Sequence, residues 1–272
     1  MPVAALALAL SAAVVHAIWN LLLARTRDPE AATAVVLLTG AVVGAPAAAL
    51  WWGLDSAVWP FVVASSLLEV LYFALLATAY RRAELTVVYP VARGLAPVLV
   101  LVGSVVFAGS ATSAAQVAGV LLVGSGVLLV RGVRRGDGAG LVFGLAIACC
   151  IASYTIVDKH GVGHATPLTY LELVAIGMAA IYVPTLLAVR GYAALRAELA
   201  WTTVLAGIAT FGAYALVLAA LRIAPAASVA AVRESSVLIA TALAAFVLKE
   251  RVSTVRIAGA ALVVAGVALI SL

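Results

Sequence analysis

Two arginines stand inside long apolar runs: Arg93 in TVVYPVARGLAPVLVLVG and Arg233 in AASVAAVRESSVLIATALAAF. A guanidinium keeps its charge and offers a planar fork of donors that matches a carboxylate or phosphonate. In hydrocarbon such a residue costs ~2.5–3.5 kcal/mol on insertion scales, so it must face protein or water and find an acceptor. Two carboxylates within apolar runs are candidate partners, Glu69 and Glu234. Glu69 has Tyr72 on its own helical face and can pair with either arginine or carry a proton. Glu234 follows Arg233 directly, and consecutive helical residues point ~100° apart. One of the two therefore faces a cavity while the other grips a neighbouring helix. Ser235 and Ser236 extend this into the most polar patch of any apolar run.

The surroundings of these charges suggest a small polar ligand. Tyr89 precedes Arg93 by one turn, and Pro90 and Pro97 remove backbone donors there. Irregular backbone is expected beside Arg93, and at membrane depth it is tolerated where it lines a cavity. His16, Trp19 and Asn20 share one helical face. Further on, Tyr154 lies between Ser153 and Thr155, with Asp158 and Lys159 beyond, and Phe211 and Tyr214 share a face. The candidate ligand-contacting residues are Arg93, Tyr89, Arg233, Glu234, Trp19, Asn20, Tyr72, Tyr154 and Tyr214. Glu69, Glu234 and His16 are the candidates for proton coupling. Glu172, about a turn and a half into its apolar run, is expected at the interface.

These residues are held by a chain that is 66% apolar and 10% charged, with a mean hydropathy of +1.24. That balance leaves too little charge to cover a soluble surface and implies an all-α polytopic membrane protein. A spanning helix needs ~20 apolar residues. Ten are predicted, over 2–24, 31–52, 60–80, 86–108, 114–130, 140–157, 167–189, 200–221, 227–248 and 253–271. The N-terminal run lacks a positive leader and continues through Ala24, so it reads as a retained first helix. Only RGVRRGDGAG has the composition of a linker. It divides the chain into a first five-helix repeat at 1–130, a loop at 131–139 and a second repeat at 140–272. A shift of 140 residues superposes Arg93 on Arg233, Gly119 on Gly259 and Gly126 on Gly266. An odd number of helices per half makes the repeat an inverted one.

Arginines and lysines follow the odd-numbered spans, from Arg25 and Arg27 to Lys249, Arg251 and Arg256, whereas Lys159 and Arg222 alone follow the even ones. The positive-inside rule then places both termini outside the cytoplasm of a cell bounded by this membrane. Scattered basic residues argue against nucleic acid as a partner. Cys149 and Cys150 are adjacent in an apolar run and read as packing residues. The pairs Gly40/Gly44 and Gly140/Gly144 have helix-packing spacing, more simply used inside the chain than between the copies of a homodimer. No phosphate loop, metal-ligand spacing or nucleophile elbow marks an enzyme, a metal site or a cofactor.

Ten short helices in two repeats, with HAIWN at 16–20, YPVARGLAP at 89–97 and FVLKERVS at 246–253, resemble the drug/metabolite transporter superfamily and its EamA-type members. In the first half FAGSATS stands where the second has its Glu-Arg pair. The resemblance implies alternating access around a central cavity lined mainly by spans 1, 3, 4, 6, 8 and 9. HAIWN is similar to a branch linked to phosphonate use. The expected activity is secondary transport of a small anionic or zwitterionic metabolite, amino-acid-like or phosphonate-like, across the cytoplasmic membrane by a monomer or homodimer. Two other readings stand beside it: an exporter of cationic or lipophilic compounds using Glu69 as the binding acid, and a channel or lipid scramblase.

Overall fold

The computed structural model describes residues 1–23, 26–83, 85–107, 109–131, 138–239, 242 and 253–271. Its helices are α1 (Val3–Leu23), α2 (Pro29–Leu50), α3 (Trp59–Arg82), α4 (Leu85–Val106) and α5 (Ala114–Arg131), then α6 (Gly138–Gly161), α7 (Pro167–Ala197), α8 (Trp201–Ile223), α9 (Ala226–Arg233) and α10 (Thr254–Ser271). Eight of them are long and apolar enough to cross a membrane; α5 is apolar but shorter, and α9 is a fragment of the predicted ninth span. Most of the linker, most of FVLKERVS, and with them Arg25, Arg134, Arg135, Lys249 and Arg251, lie outside the described residues.

The helix starts follow from local chemistry. Asp28 caps α2 by accepting from the backbone N–H groups of Glu30 and Ala31, with Pro29 at the first position, where a missing N–H costs nothing. Thr166 and Pro167 do the same for α7. That helix is kinked at Gly191, whose φ of 75° a residue with a side chain rarely adopts. Polar ends tie the helices into a bundle. At one end Glu30 bonds Arg81 at the end of α3 and Arg190 near the end of α7. At the other, Asp55 N–H donates to the His164 carbonyl and Thr166 N–H to that of Gly53.

Close packing rests on small residues. A Cβ on Gly119 would lie 2.8 Å from the Gly266 carbonyl oxygen, and one on Gly126 2.6 Å from that of Gly259. The contacts are reciprocal, at 2.6 Å for Gly266 on Gly119 and 2.7 Å for Gly259 on Gly126. α5 and α10 therefore meet backbone to backbone through four glycines. Gly40 and Gly44 of α2 receive the ring of Phe211 from α8, and Gly144 of α6 receives Val91 of α4. Gly40, Gly44 and Gly144 are thus used within the chain. Elsewhere α1 packs on α8 as α6 packs on α3, and α2 packs on α7.

Candidate functional site

The bundle holds a central cavity of about 150 Å³ whose polar lining comes from α1, α3, α4, α6, α8 and α9. A larger one, about 330 Å³, lies at the arginine-rich end between Arg27, Glu30, Arg81, Tyr182 and Arg190. Phe73 lines both. The central cavity is where buried polar groups converge, which makes it the candidate ligand site.

Arg93 enters it from α4 and is 7% exposed. Its Nη1 donates to Glu234 Oε1 at 3.2 Å, and its Nη2 meets His16 Nε2 at 2.9 Å. A guanidinium can only donate, so this contact assigns the lone pair to Nε2 and the proton to Nδ1 of a neutral His16. The guanidinium also lies 5.6 Å from the centre of the Tyr89 ring. Tyr89 itself does not line the central cavity; it borders a 40 Å³ void behind Arg93. The expected irregular backbone is displaced as well. α4 continues through Pro90 and Pro97, while α9 stops at Arg233 and the chain passes Glu234 and Ser235 on i→i−3 bonds, from Glu234 N–H to Ala231 and Ser235 N–H to Val232.

That break decides how Arg233 and Glu234 divide their work. Arg233 lines the cavity beside Tyr154, and its Nε has no hydrogen-bond partner among the described residues. Glu234, 1% exposed, turns away to grip Arg93 and keeps its Oε2 unpartnered. Glu69 lines the cavity from α3 within reach of the fields of Arg233 and Asp158, and its Oε1 is unpartnered too. It therefore pairs with neither arginine through a direct ion pair among the described residues.

Trp19 and His16 line the cavity edge to face, with ring centres 4.8 Å apart, and the Trp19 Nε1–H has no acceptor among the described residues. Asn20 does not reach the cavity: its amide donates to the His16 carbonyl at 2.9 Å, one turn back on its own helix. Tyr72, Tyr154 and Tyr214 form an aromatic wall of edge-on contacts, each with ring centres 6.4 Å apart. Glu172, near the start of α7, is 3% exposed and enclosed by protein.

Asp158 is the polar centre that the sequence did not reveal. The sixth span was expected to end at 157, but α6 reaches Gly161 and carries Asp158 inside, fully buried. It accepts from Ser65 Oγ at 2.6 Å, from the Tyr170 hydroxyl at 2.9 Å and from the Tyr214 hydroxyl. One carboxylate thus joins α3, α6, α7 and α8, and Tyr214 carries that link to the cavity wall. The spacing of Tyr154 and Asp158, four residues apart on one helical face, is the signal that points to it.

Residues 138–272 match the EamA-like transporter family. No curated protein matches the chain. A solved structure, described only as a crystal structure of a protein, superposes with a TM-score of 0.77 at 18% identity, covering 97% of this chain and 94% of that one. At that identity it shows the fold.

Proposed function

We propose that the protein is a secondary transporter for a small zwitterionic or anionic metabolite, a reading supported by the match of residues 138–272 to the EamA-like transporter family, which lies in the drug/metabolite transporter superfamily. It moves an amino-acid-like or phosphonate-like solute across the cytoplasmic membrane by alternating access. Its ten spans form two inverted five-helix repeats, 1–130 and 140–272, with both termini outside. The crosswise meeting of Gly119 with Gly266 and of Gly126 with Gly259 supports that symmetry, because the four are equivalent in pairs under the 140-residue shift.

The observation that carries the reading is the unused hydrogen-bonding capacity inside the central cavity. Arg233 Nε and Trp19 Nε1 are donors without acceptors among the described residues, and Glu69 Oε1 is an acceptor without a donor. A carboxylate or phosphonate against the first two and an ammonium against the third would satisfy all three, and a buried polar group left unmatched costs ~1–3 kcal/mol. Arg93, already held by Glu234 and His16, sets the position of Glu234 and adds to the positive field. Tyr72, Tyr154 and Tyr214 shape the apolar wall, and Glu69 is the proton carrier when the solute lacks an ammonium. A volume of about 150 Å³ is below the ~300–1,000 Å³ of drug-sized sites, which favours a small metabolite.

A second reading rests on Glu69 as well: an unpartnered acid beside Trp19, Tyr72 and Phe73 also suits an organic cation. Thermal unfolding of the purified protein with amino acids, phosphonates, sugar phosphates and quaternary amines separates the two. A ligand present at 100 times its Kd adds about 2.7 kcal/mol to stability. Stabilisation by acids or zwitterions that is lost in Arg233→Ala supports the proposal. Stabilisation by cations alone, lost in Glu69→Gln and kept in Arg233→Ala, replaces it with the cation exporter.

A further inference from the structure

Outside the central cavity, the protein buries one more carboxylate with no partner among the described residues. Glu172 of α7 is 3% exposed, and neither Oε1 nor Oε2 has a hydrogen-bond donor there. It sits where α7 meets α2 and α8. A Cβ on Gly44 would come within 2.5 Å of Glu172 Oε2 and 2.3 Å of Phe211 Cζ, so one missing methyl makes the notch that both groups fill. Phe211 packs along Gly40 as well and lines the central cavity, as do Leu171, Val174 and Ala175 on either side of Glu172 in α7.

No countercharge among the described residues faces this carboxyl. On α2, Asp28 and Glu30 belong to the opposite end of the bundle, where Glu30 is held by Arg81 and Arg190. On α8, the Tyr214 hydroxyl is committed to Asp158, and Arg222 lies about three turns beyond Phe211 and is exposed. On α3, Ser65 serves Asp158, Ser66 serves the Val174 carbonyl, and Glu69 faces the central cavity. On α7 itself, Arg190 and Arg196 lie about five turns or more from Glu172, toward the other end of the helix. An isolated carboxylate in such surroundings costs several kcal/mol and neutralises instead.

We propose that Glu172 is a proton-binding site, occupied while α2, α7 and α8 are packed together, and that Phe211 couples its occupancy to the wall of the central cavity. A state that parts these helices admits water, and the carboxyl then ionises. Proton binding and the packed state thus favour each other, since a ligand shifts a conformational equilibrium by its differential affinity for the two states. This proton is separate from any carried by Glu69, and the site stands whether or not the solute assignment does.

The test is infrared difference spectroscopy of the protein in lipid nanodiscs, reading the carboxylic acid C=O band as pH is raised. Wild type should show a protonated-carboxyl component that exchanges slowly in D₂O. That component should vanish in Glu172→Gln and in Glu172→Met, and persist in Glu69→Gln. Phe211→Ala, which opens the notch to water, should make it disappear at a lower pH than in wild type. Identical bands in wild type and both Glu172 variants would show that Glu172 is ionised and overturn the proposal. A component unaffected by Phe211→Ala would overturn the coupling to the cavity. None of these readings depends on transport, so a solute panel that fails leaves the proton site at Glu172 standing or falling on its own spectra.

Discussion

Arg93 and Arg233 hold equivalent registers in the two halves of the chain and yet live in different surroundings. The helix around Arg93 is unbroken despite two prolines, and its guanidinium is engaged by Glu234, His16 and the Tyr89 ring. The helix around Arg233 ends at that residue without a proline, and its Nε is unpartnered among the described residues. The acid that follows Arg233 is the one that neutralises Arg93. One half thus lends its carboxylate to the other, which leaves its own arginine with capacity for a ligand. Duplicated sequence does not mean duplicated surroundings: on the proposed function, the same side chain serves as a structural tie where a carboxylate is held against it, and as a binding group where none is.

The largest expected effect breaks this contrast if it is mistaken. Arg93→Ala leaves Glu234 buried without its partner, which should cost about 3–5 kcal/mol in unfolding free energy. Arg233→Ala should cost far less and instead remove ligand-induced stabilisation. Arg93→Met combined with Glu234→Leu should recover most of the loss, because apolar residues of similar volume replace a buried pair at little cost. Denaturant unfolding in detergent reads all three. Equal losses in the two single arginine variants would mean that both are structural ties.

Smaller effects sharpen the same comparison. His16→Ala deprives Arg93 Nη2 of its acceptor and should destabilise by about 1–3 kcal/mol. Tyr214→Phe removes one of three donors to Asp158, and a hydrogen bond to a charged group contributes about 1.5–3 kcal/mol. Because Tyr214 also lines the cavity, this variant should lower ligand affinity together with stability.

How much of this was legible in the sequence follows from what each signal encodes. Hydropathy located the eight helices that are long and apolar enough to cross a membrane among the described residues, since apolar length is what a bilayer demands. The 140-residue register found both arginines and the glycines of the α5–α10 contact. The 100° between Arg233 and Glu234 required them to part, but which one would face the cavity depends on helix rotation, which no local pattern records. The break in α9 falls in VRESSV, where no proline or glycine marks it, while the visible breakers of α4 were absorbed into a continuous helix. Asp158 was hidden by the apparent end of an apolar run. α6 continues to Gly161, and Lys159, next in sequence, places its ammonium on the Leu221 carbonyl at 2.6 Å. Asn20 was grouped with the cavity by spacing alone, yet its amide satisfies its own helix. Glu172 was expected at the interface from its distance along the helix, a measure of depth that says nothing of the notch that Gly44 opens.

Glu69→Gln is the variant with the smallest expected change in stability and the most to say about the two arginines. The amide keeps the volume of the acid, and Glu69 forms no direct ion pair among the described residues that the exchange could break. Its unpartnered Oε1 means that the native acid already stands below its full hydrogen-bonding capacity, so unfolding free energy should stay within about 0.5 kcal/mol of wild type, or rise. The cavity, however, loses its acceptor for an ammonium while Arg233 and Trp19 keep their donors. Preference should therefore move from zwitterions toward simple anions, read as the ratio of the stabilisation given by an amino acid to that given by its deaminated acid. If that ratio does not change, the ammonium does not meet Glu69, and Glu234 Oε2, the other unpartnered carboxylate oxygen beside the arginines, becomes the group to vary.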